Sequence, residues 1–278
     1  MITTGKERLL IIAPHSDDEI LGCGGLIEKA RRYNNHVKVV VVAVGDIVHP
    51  HNDKLVLAKT RINELKEALA ILSCHDFEVL YNDKDSLLDT IPKKEIVSKL
   101  DNILNTYNPT MVFIPLPSYH QDHLVLFETC FAALRPKGNQ TIKLIAMYEY
   151  PLISWYYQQF WNTGELYLDL SQTIEKKIDA FLKHASQIRP SNTLLSPESI
   201  KKWAEMRGSE IGVSYAEAST KPAPVKIIKP SGEMSASSMV KVSVRSPSHA
   251  TSLLLPRPPC AYTVVAAPSR LEVFKVSK

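Results

Sequence analysis

Leu9-Leu10-Ile11-Ile12-Ala13-Pro14-His15-Ser16-Asp17-Asp18-Glu19 opens on an unbroken apolar run and closes on a histidine, a serine and three acids. A short run that is apolar throughout and ends at a proline has the pattern of a strand buried on both faces. Residues 19–34 then carry helical periodicity, with Ile20, Ile27 and Ala30 on the inner side and Lys29, Arg31 and Arg32 outside. The same plan recurs farther along. Met111-Val112-Phe113-Ile114-Pro115-Leu116 is a second buried strand, and His120-Gln121-Asp122-His123 follows it at the start of a helix.

The chain outward from these two points keeps alternating. Strands are expected over residues 8–14, 37–44, 77–81, 110–116 and 142–148. Helices are expected over 55–73, over 92–107 with Pro92 near the start, after His120, and over about 172–187 and 197–207. Strands separated by helices imply βαβ units, hence an α/β fold with a mostly parallel sheet and helices on both faces. No internal repeat is visible. From Thr220 the composition changes: Pro222, Pro224, Pro230, Pro247, Pro256, Pro258, Pro259 and Pro268 accumulate with serines, and helical periodicity stops. The expected organisation is one domain over residues 1–219 and a Pro/Ser-rich C-terminal extension over 220–278, read as a small appendage or a poorly ordered tail.

Composition narrows the function classes. The hydrophobic share of 45% and charged share of 22% are those of a globular protein. No apolar run approaches the ~20 residues that span a bilayer, so no membrane partner is expected. The net charge is +4, but it resides in the tail, which carries +7 and leaves residues 1–219 at −3. With no basic stripe interleaved with aromatics, no nucleic-acid partner is expected. Met1-Ile2-Thr3-Thr4-Gly5-Lys6 lacks the basic-then-apolar plan of a signal peptide, and Cys23, Cys74, Cys130 and Cys260 have no paired spacing. Both point to a cytoplasmic chain with free thiols. The oligomeric state stays open, a homo-oligomer included.

Ligands of open α/β sheets bind beyond the carboxyl ends of the strands, so the two polar clusters can meet there. Hydrolytic zinc sites keep three protein ligands and one open position. His15 and Asp18, three residues apart across a strand-to-helix turn, can aim at one point, and His123 can join them from the second strand end. Zinc lowers the pKa of its water to about 7. Asp17, beside the ligand Asp18, can take the proton of that water. His120 can face the oxyanion, with Asp122 orienting it. Taken alone, an acidic triplet at a helix start reads as capping and dipole compensation, and a His-x-x-His as a solvated helix face. Both clusters together, each after a buried strand, favour a site.

These residues carry a family resemblance. Pro14-His15-Ser16-Asp17-Asp18-Glu19 resembles the [AP]-H-P-D-D-E signature of the LmbE/PIG-L superfamily of zinc-dependent N-acetyl-sugar deacetylases, and His120-Gln121-Asp122-His123 resembles its H-P-D-H signature. Arg61 and Glu64 with Ala68 and Leu72 resemble its R-x-x-E-x-x-x-A-x-x-x-L helix. Lys177 with His184-Ala185-Ser186-Gln187 resembles its K…H-x-S-Q segment, and Arg207-Gly208 with Tyr215-Ala216-Glu217-Ala218 its R-G…Y-A-E-A-F stretch. The resemblance implies a Rossmann-like fold, zinc on His15, Asp18 and His123, Asp17 as base, His120 at the oxyanion or leaving amine with Asp122 behind it, and Arg61 as a substrate contact. It implies a small-molecule amino-sugar substrate: an N-acetylglucosaminyl conjugate or an aminoglycoside-type pseudodisaccharide. Ser16 and Gln121 stand where both signatures have proline, and Ser219 where the family has phenylalanine.

Competing readings are a metal-binding sugar-recognition protein without hydrolase activity and a metal-dependent phosphoesterase, which often uses two metals and more carboxylates than the single set found here. Gly22-Cys23-Gly24-Gly25 lacks dinucleotide spacing and reads as close helix–sheet packing, with Cys23 a packed small residue. His49 and His51 sit in a loop that should border the site. His184 reads either as a pocket element or as a structural histidine. Trp155, Tyr156, Tyr157, Phe160 and Trp161 read as core or as a wall for stacking sugars.

Overall fold

A computed structural model describes residues 1–48, 53–137, 141–152 and 166–221. His49, His51, the 155–161 aromatic cluster, Cys260 and the extension beyond Lys221 lie outside the described residues.

The elements follow the chain as β1 (Arg8–Ala13), α1 (Asp18–Arg32), β2 (His36–Ala43), β3 (Ile47–Val48), β4 (Leu55–Val56), α2 (Ala58–Ile71), β5 (Asp76–Tyr81), α3 (Lys93–Tyr107), β6 (Met111–Pro115), α4 (Gln121–Ala133), β7 (Leu144–Tyr148), β8 (Leu166–Asp169), α5 (Ile174–Phe181), α6 (Pro197–Ser209) and β9 (Ala216–Thr220). Seven described strands form the main sheet in the order β5-β2-β1-β6-β7-β9-β8. The first five pair in parallel, whereas β9 is antiparallel to β7 and β8 antiparallel to β9. This is the α/β, Rossmann-like, mostly parallel sheet with helices on both faces.

The period of two in the central strands explains both layers. Leu9, Ile11, Ala13, Val39 and Val41 pack into a core with α1, α2, α5 and α6. Leu10, Ile12, Val40 and Val42 pack on the other face with α3 and α4. Buried on both sides, β1 and β2 need apolar residues at every inner position.

α1 is more enclosed than its periodicity suggests: residues from Asp18 through Glu28 are all buried. Gly22 lies so close to the sheet that a Cβ there would sit 2.1 Å from the Tyr148 ring. On its other side, the Lys177 ammonium of α5 donates to Leu21 O at 2.7 Å and to Glu217 Oε1 at 2.8 Å. The Glu217 carboxylate of β9 accepts from Gly25 N and Leu26 N. A buried ion pair is thus built into the helix's own hydrogen-bond ladder, which fastens the late elements to α1. Cys23 is 1% exposed, and burial pushes its thiol well up.

Three differences from the expected elements have local causes. Residues 55–56 form a hairpin strand with Ile47–Val48, so the helix starts only at Ala58. The late helix is short and ends at Phe181, because the chain turns there to deliver His184. β8 and β9 carry short antiparallel pairings without a strong apolar run. β9 runs through Thr220, which pairs with Met147, so the sheet extends one residue past the expected boundary. Among the described residues, no helix is long and apolar enough to cross a membrane.

Candidate metal centre

In the parallel part of the sheet the strand order reverses between β1 and β6, and both polar clusters follow those two strands. In open α/β sheets, ligands bind beyond the carboxyl ends of the strands at such a reversal. His15 lies in the turn after β1 and Asp18 is the first residue of α1. His123 lies in the first turn of α4.

Asp18 Oδ2 is the meeting point. It lies 3.3 Å from His15 Nδ1 and 3.3 Å from His123 Nε2, and also accepts from His15 N at 3.2 Å. All three side chains are buried. The other ring nitrogen of His15, Nε2, lies 2.9 Å from Asp122 Oδ2. A proton on Nε2 serves that bond and leaves the Nδ1 lone pair facing Asp18. A carboxylate–histidine pair of this kind is the arrangement that orients rings which ligate metals.

The donor set fits a divalent cation. Two ring nitrogens and one carboxylate oxygen lie within 4.8 Å of one another. Without a cation, two lone pairs and an anion would share a desolvated space. The protein compensates by proton uptake: desolvation would lower the His15 pKa, yet the Asp122 and Asp18 carboxylates raise it to about 10. Asp18, in spite of burial, is pulled down by His123 and His15. A positive charge is wanted there. His123 Nδ1 is buried without a hydrogen-bond partner among the described residues, while Nε2 faces Asp18. Tyr150 stacks on that ring at 4.8 Å, and its hydroxyl is 2.8 Å from Ser118 Oγ.

Asp17 is the N-cap of α1, but its side chain makes no capping bond. Its backbone stands at φ +140°, ψ −29°, outside the regions open to side chains, at a cost of order 1–3 kcal/mol. Its amide donates to Glu19 Oε2 at 2.9 Å. Burial first, then the Asp18 charge, raises the Asp17 carboxyl to about 7.

His120 is the N-cap of α4, and its Nδ1 accepts from Asp122 N at 3.2 Å. That leaves the proton on Nε2. Burial, then His15 and His123, lower this imidazole to about 4, so it is a neutral donor. The expected pairing of the Asp122 carboxylate with His120 is replaced. One oxygen bonds His15 and the other accepts from Leu88 N at 3.0 Å, because the second residue of α4 points back toward β1. His120 receives only the Asp122 backbone.

His15, His120 and Asp122 also offer three donor atoms within 4.8 Å. This overlaps the first set and corrects the expectation of a single ligand group. In it, Asp122 holds His15 and Leu88 N, and His120 Nδ1 holds Asp122 N. Arg61, on α2, is 2% exposed. Its Nη1 donates to Asp85 Oδ2 at 2.5 Å and to Gly45 O at 3.2 Å. It adds positive charge near Asp17 from an enclosed position.

Ser16 and Gln121, the two positions without proline, each make a bond that proline cannot. Ser16 Oγ donates to Arg61 O and Gln121 Nε2 to Ser86 O. Asp85, Tyr150 and Ser118 had no local signature in sequence. Glu19 and Glu64 stood inside quoted motifs, but their partners are more than 100 residues away.

Residues 10–134 match the family model described as PIG-L, GlcNAc-PI de-N-acetylase. The chain is 24% identical over 191 residues to the probable N-acetyl-alpha-D-glucosaminyl L-malate deacetylase 2 of Bacillus subtilis (strain 168), covering 66% of this chain and 84% of that protein. It is 26% identical over 227 residues to the diacetylchitobiose deacetylase of Thermococcus kodakarensis, covering 76% and 81%. The solved structure of GalB, the 4-carboxy-2-hydroxymuconate hydratase from Pseudomonas putida KT2440, superposes with a TM-score of 0.62 at 17% identity, covering 82% of this chain and 100% of that one. At that identity the likeness is one of fold.

Proposed function

From a chain that carries a PIG-L family domain over residues 10–134, we propose a zinc-dependent deacetylase that hydrolyses the acetamide of an N-acetylated amino sugar. The carrying observation is the convergence of His15 Nδ1 and His123 Nε2 on Asp18 Oδ2, with the desolvated Asp17 carboxyl next in the chain. The family description and the two deacetylases above, as named, share an N-acetylglucosamine unit. The fold alone does not select the reaction, since a hydratase has it too.

His15, Asp18 and His123 would hold the zinc. Bound there, zinc polarises a carbonyl and acidifies water to a pKa of about 7. Asp17 takes the proton of the attacking water on its carboxylate. Its desolvated carboxyl, one residue from Asp18, is placed for that step. His120 donates from Nε2 to the carbonyl oxygen as negative charge grows there, and its fixed Nδ1 bond keeps the donor aimed. As the C–N bond breaks, the proton held by Asp17 passes to the amine nitrogen, giving acetate and the free amino sugar. Arg61 would set the charge behind Asp17, and a direct substrate contact for it is part of the proposal. The scattered cysteines support a cytoplasmic setting.

The test pairs acetate release with metal analysis. The panel spans N-acetylglucosaminyl conjugates of inositol and of a hydroxy acid, chitooligosaccharides and an N-acetylated aminoglycoside precursor. Wild type should release acetate from at least one. His15→Ala, Asp18→Ala and His123→Ala should lose metal and activity together, whereas Asp17→Asn should keep the metal and lose most turnover. Full zinc in the alanine variants would sink the ligand assignment. Sugar binding by a metal-loaded wild type that releases no acetate would favour the recognition-protein reading, and turnover of phosphate esters the phosphoesterase reading.

A further inference from the structure

Glu19 and His184 are both fully buried, and His184 Nε2 lies 2.8 Å from Glu19 Oε1. Removing two ionisable groups from water is costly, and apolar residues of similar volume would pack as well or better. The pair therefore needs a reason beyond packing. The other oxygen of Glu19 supplies one: it accepts the backbone N–H of Asp17 at 2.9 Å.

Asp17 is the residue in this turn that most needs holding. The other described non-glycine residues with positive φ lie between 51° and 60°, in the ordinary left-handed well. Asp17 alone among them stands at 140°. A backbone so placed persists only if its surroundings over-determine it. Glu19 can do so only if its own carboxylate is fixed, and His184 is what fixes its second oxygen. His184 is anchored in turn. Its N–H donates to Phe181 O, and the next segment is held by α2, where Glu64 accepts from Ser186 N at 2.8 Å and from Ser186 Oγ at 2.5 Å. The chain of contacts runs from α2 through the turn after α5 to the backbone of Asp17.

We propose that His184 is a positioning residue for Asp17: through Glu19 it holds the Asp17 backbone in the conformation that turns its carboxylate away from the helix cap and toward the attacking water. The proposal rests on the assignment of Asp17 as the base. It gives Glu64 and His184, which come from two separate motif segments, one shared task at Asp17.

The test is a double-mutant cycle on the full chain. His184→Phe keeps the ring volume and removes the donor. It should lower kcat by about 10- to 100-fold, as loss of outer-shell partners does, with KM little changed and metal content still one per chain. His184→Gln, which can still donate to Glu19, should recover most of the rate. In the Asp17→Asn background, where no base remains to be placed, His184→Phe should cost less than about twofold further. Should His184→Phe not fold, Glu19→Gln takes its place and should give the same pattern with a smaller loss. Equal fold losses in both backgrounds would overturn the proposal, as would a wild-type kcat or a loss of metal in the histidine variant. A wild type inactive on every N-acetyl sugar would instead overturn the deacetylase reading and this inference with it.

Discussion

The carboxylate of Asp122 lies 2.9 Å from Nε2 of His15, a residue 107 positions away, while its own neighbour His120 receives only its backbone N–H. Asp122 therefore pairs with the histidine proposed to hold the metal. Asp122→Asn should weaken metal binding by about 10- to 100-fold, the usual cost of losing the carboxylate behind a ligating imidazole. Competition with a chromogenic chelator measures this. Unchanged affinity with reduced turnover would return Asp122 to His120.

His120→Ala should leave metal content at wild type and lower kcat by about 10²–10³, the range for removal of one oxyanion donor. Steady-state kinetics with metal analysis decide it. A raised KM at constant kcat would make His120 a ground-state contact with the sugar.

Far from the site, Glu7 ties the start of β1 to β6 and β7. Its carboxylate accepts from Thr110 Oγ1 at 2.5 Å and from Lys143 Nζ at 3.0 and 3.1 Å. Burial raises its pKa, but the Thr110 bond and Lys143 outweigh this and hold it below the ordinary value. A depressed folded pKa gives stability that is present above the unfolded value of about 4.3 and is lost as the pH falls through the lower folded value. Glu7→Gln should cost about 1–3 kcal/mol at pH 7 and progressively less in acid. Urea melts from pH 7 to 3 read the difference, and a constant difference across that range would exclude the linkage.

A chain ending after Lys221 should keep both metal and activity, because every residue of the site and every described strand precedes that point. Cutting at Ala218 should be worse. It removes Ser219 and Thr220, whose pairings join β9 to Tyr148 and Met147 of β7. Melting temperatures and kcat/KM for the two truncations and the full chain test this. Loss of activity in a folded, metal-loaded 1–221 chain would assign part of the site to the extension.

The sequence by itself determined the parallel core and brought His15, Asp18 and His123, the trio proposed to hold the metal, to one edge. Leu9 through Ala13, and Val37 through Val44 apart from Lys38, are apolar as two buried faces require, and strand rise and helix periodicity are properties of neighbouring residues. His15 and Asp18 are separated by one turn of backbone, and the strand ends carry them to the same edge as His123. Tertiary structure decided what depends on residues distant in the chain. β8 and β9 have no pattern of their own strong enough to declare a strand and exist because an open edge of β7 accepts them. Asp122 chose His15 over His120 because α4 enters with that side chain facing β1. Glu19, quoted within the first motif, acquired a role only when the turn after α5 placed His184 against it. In each case a side chain's neighbours in sequence limit where it can point. Which partner it meets there is set by packing between elements that the chain closes only on folding.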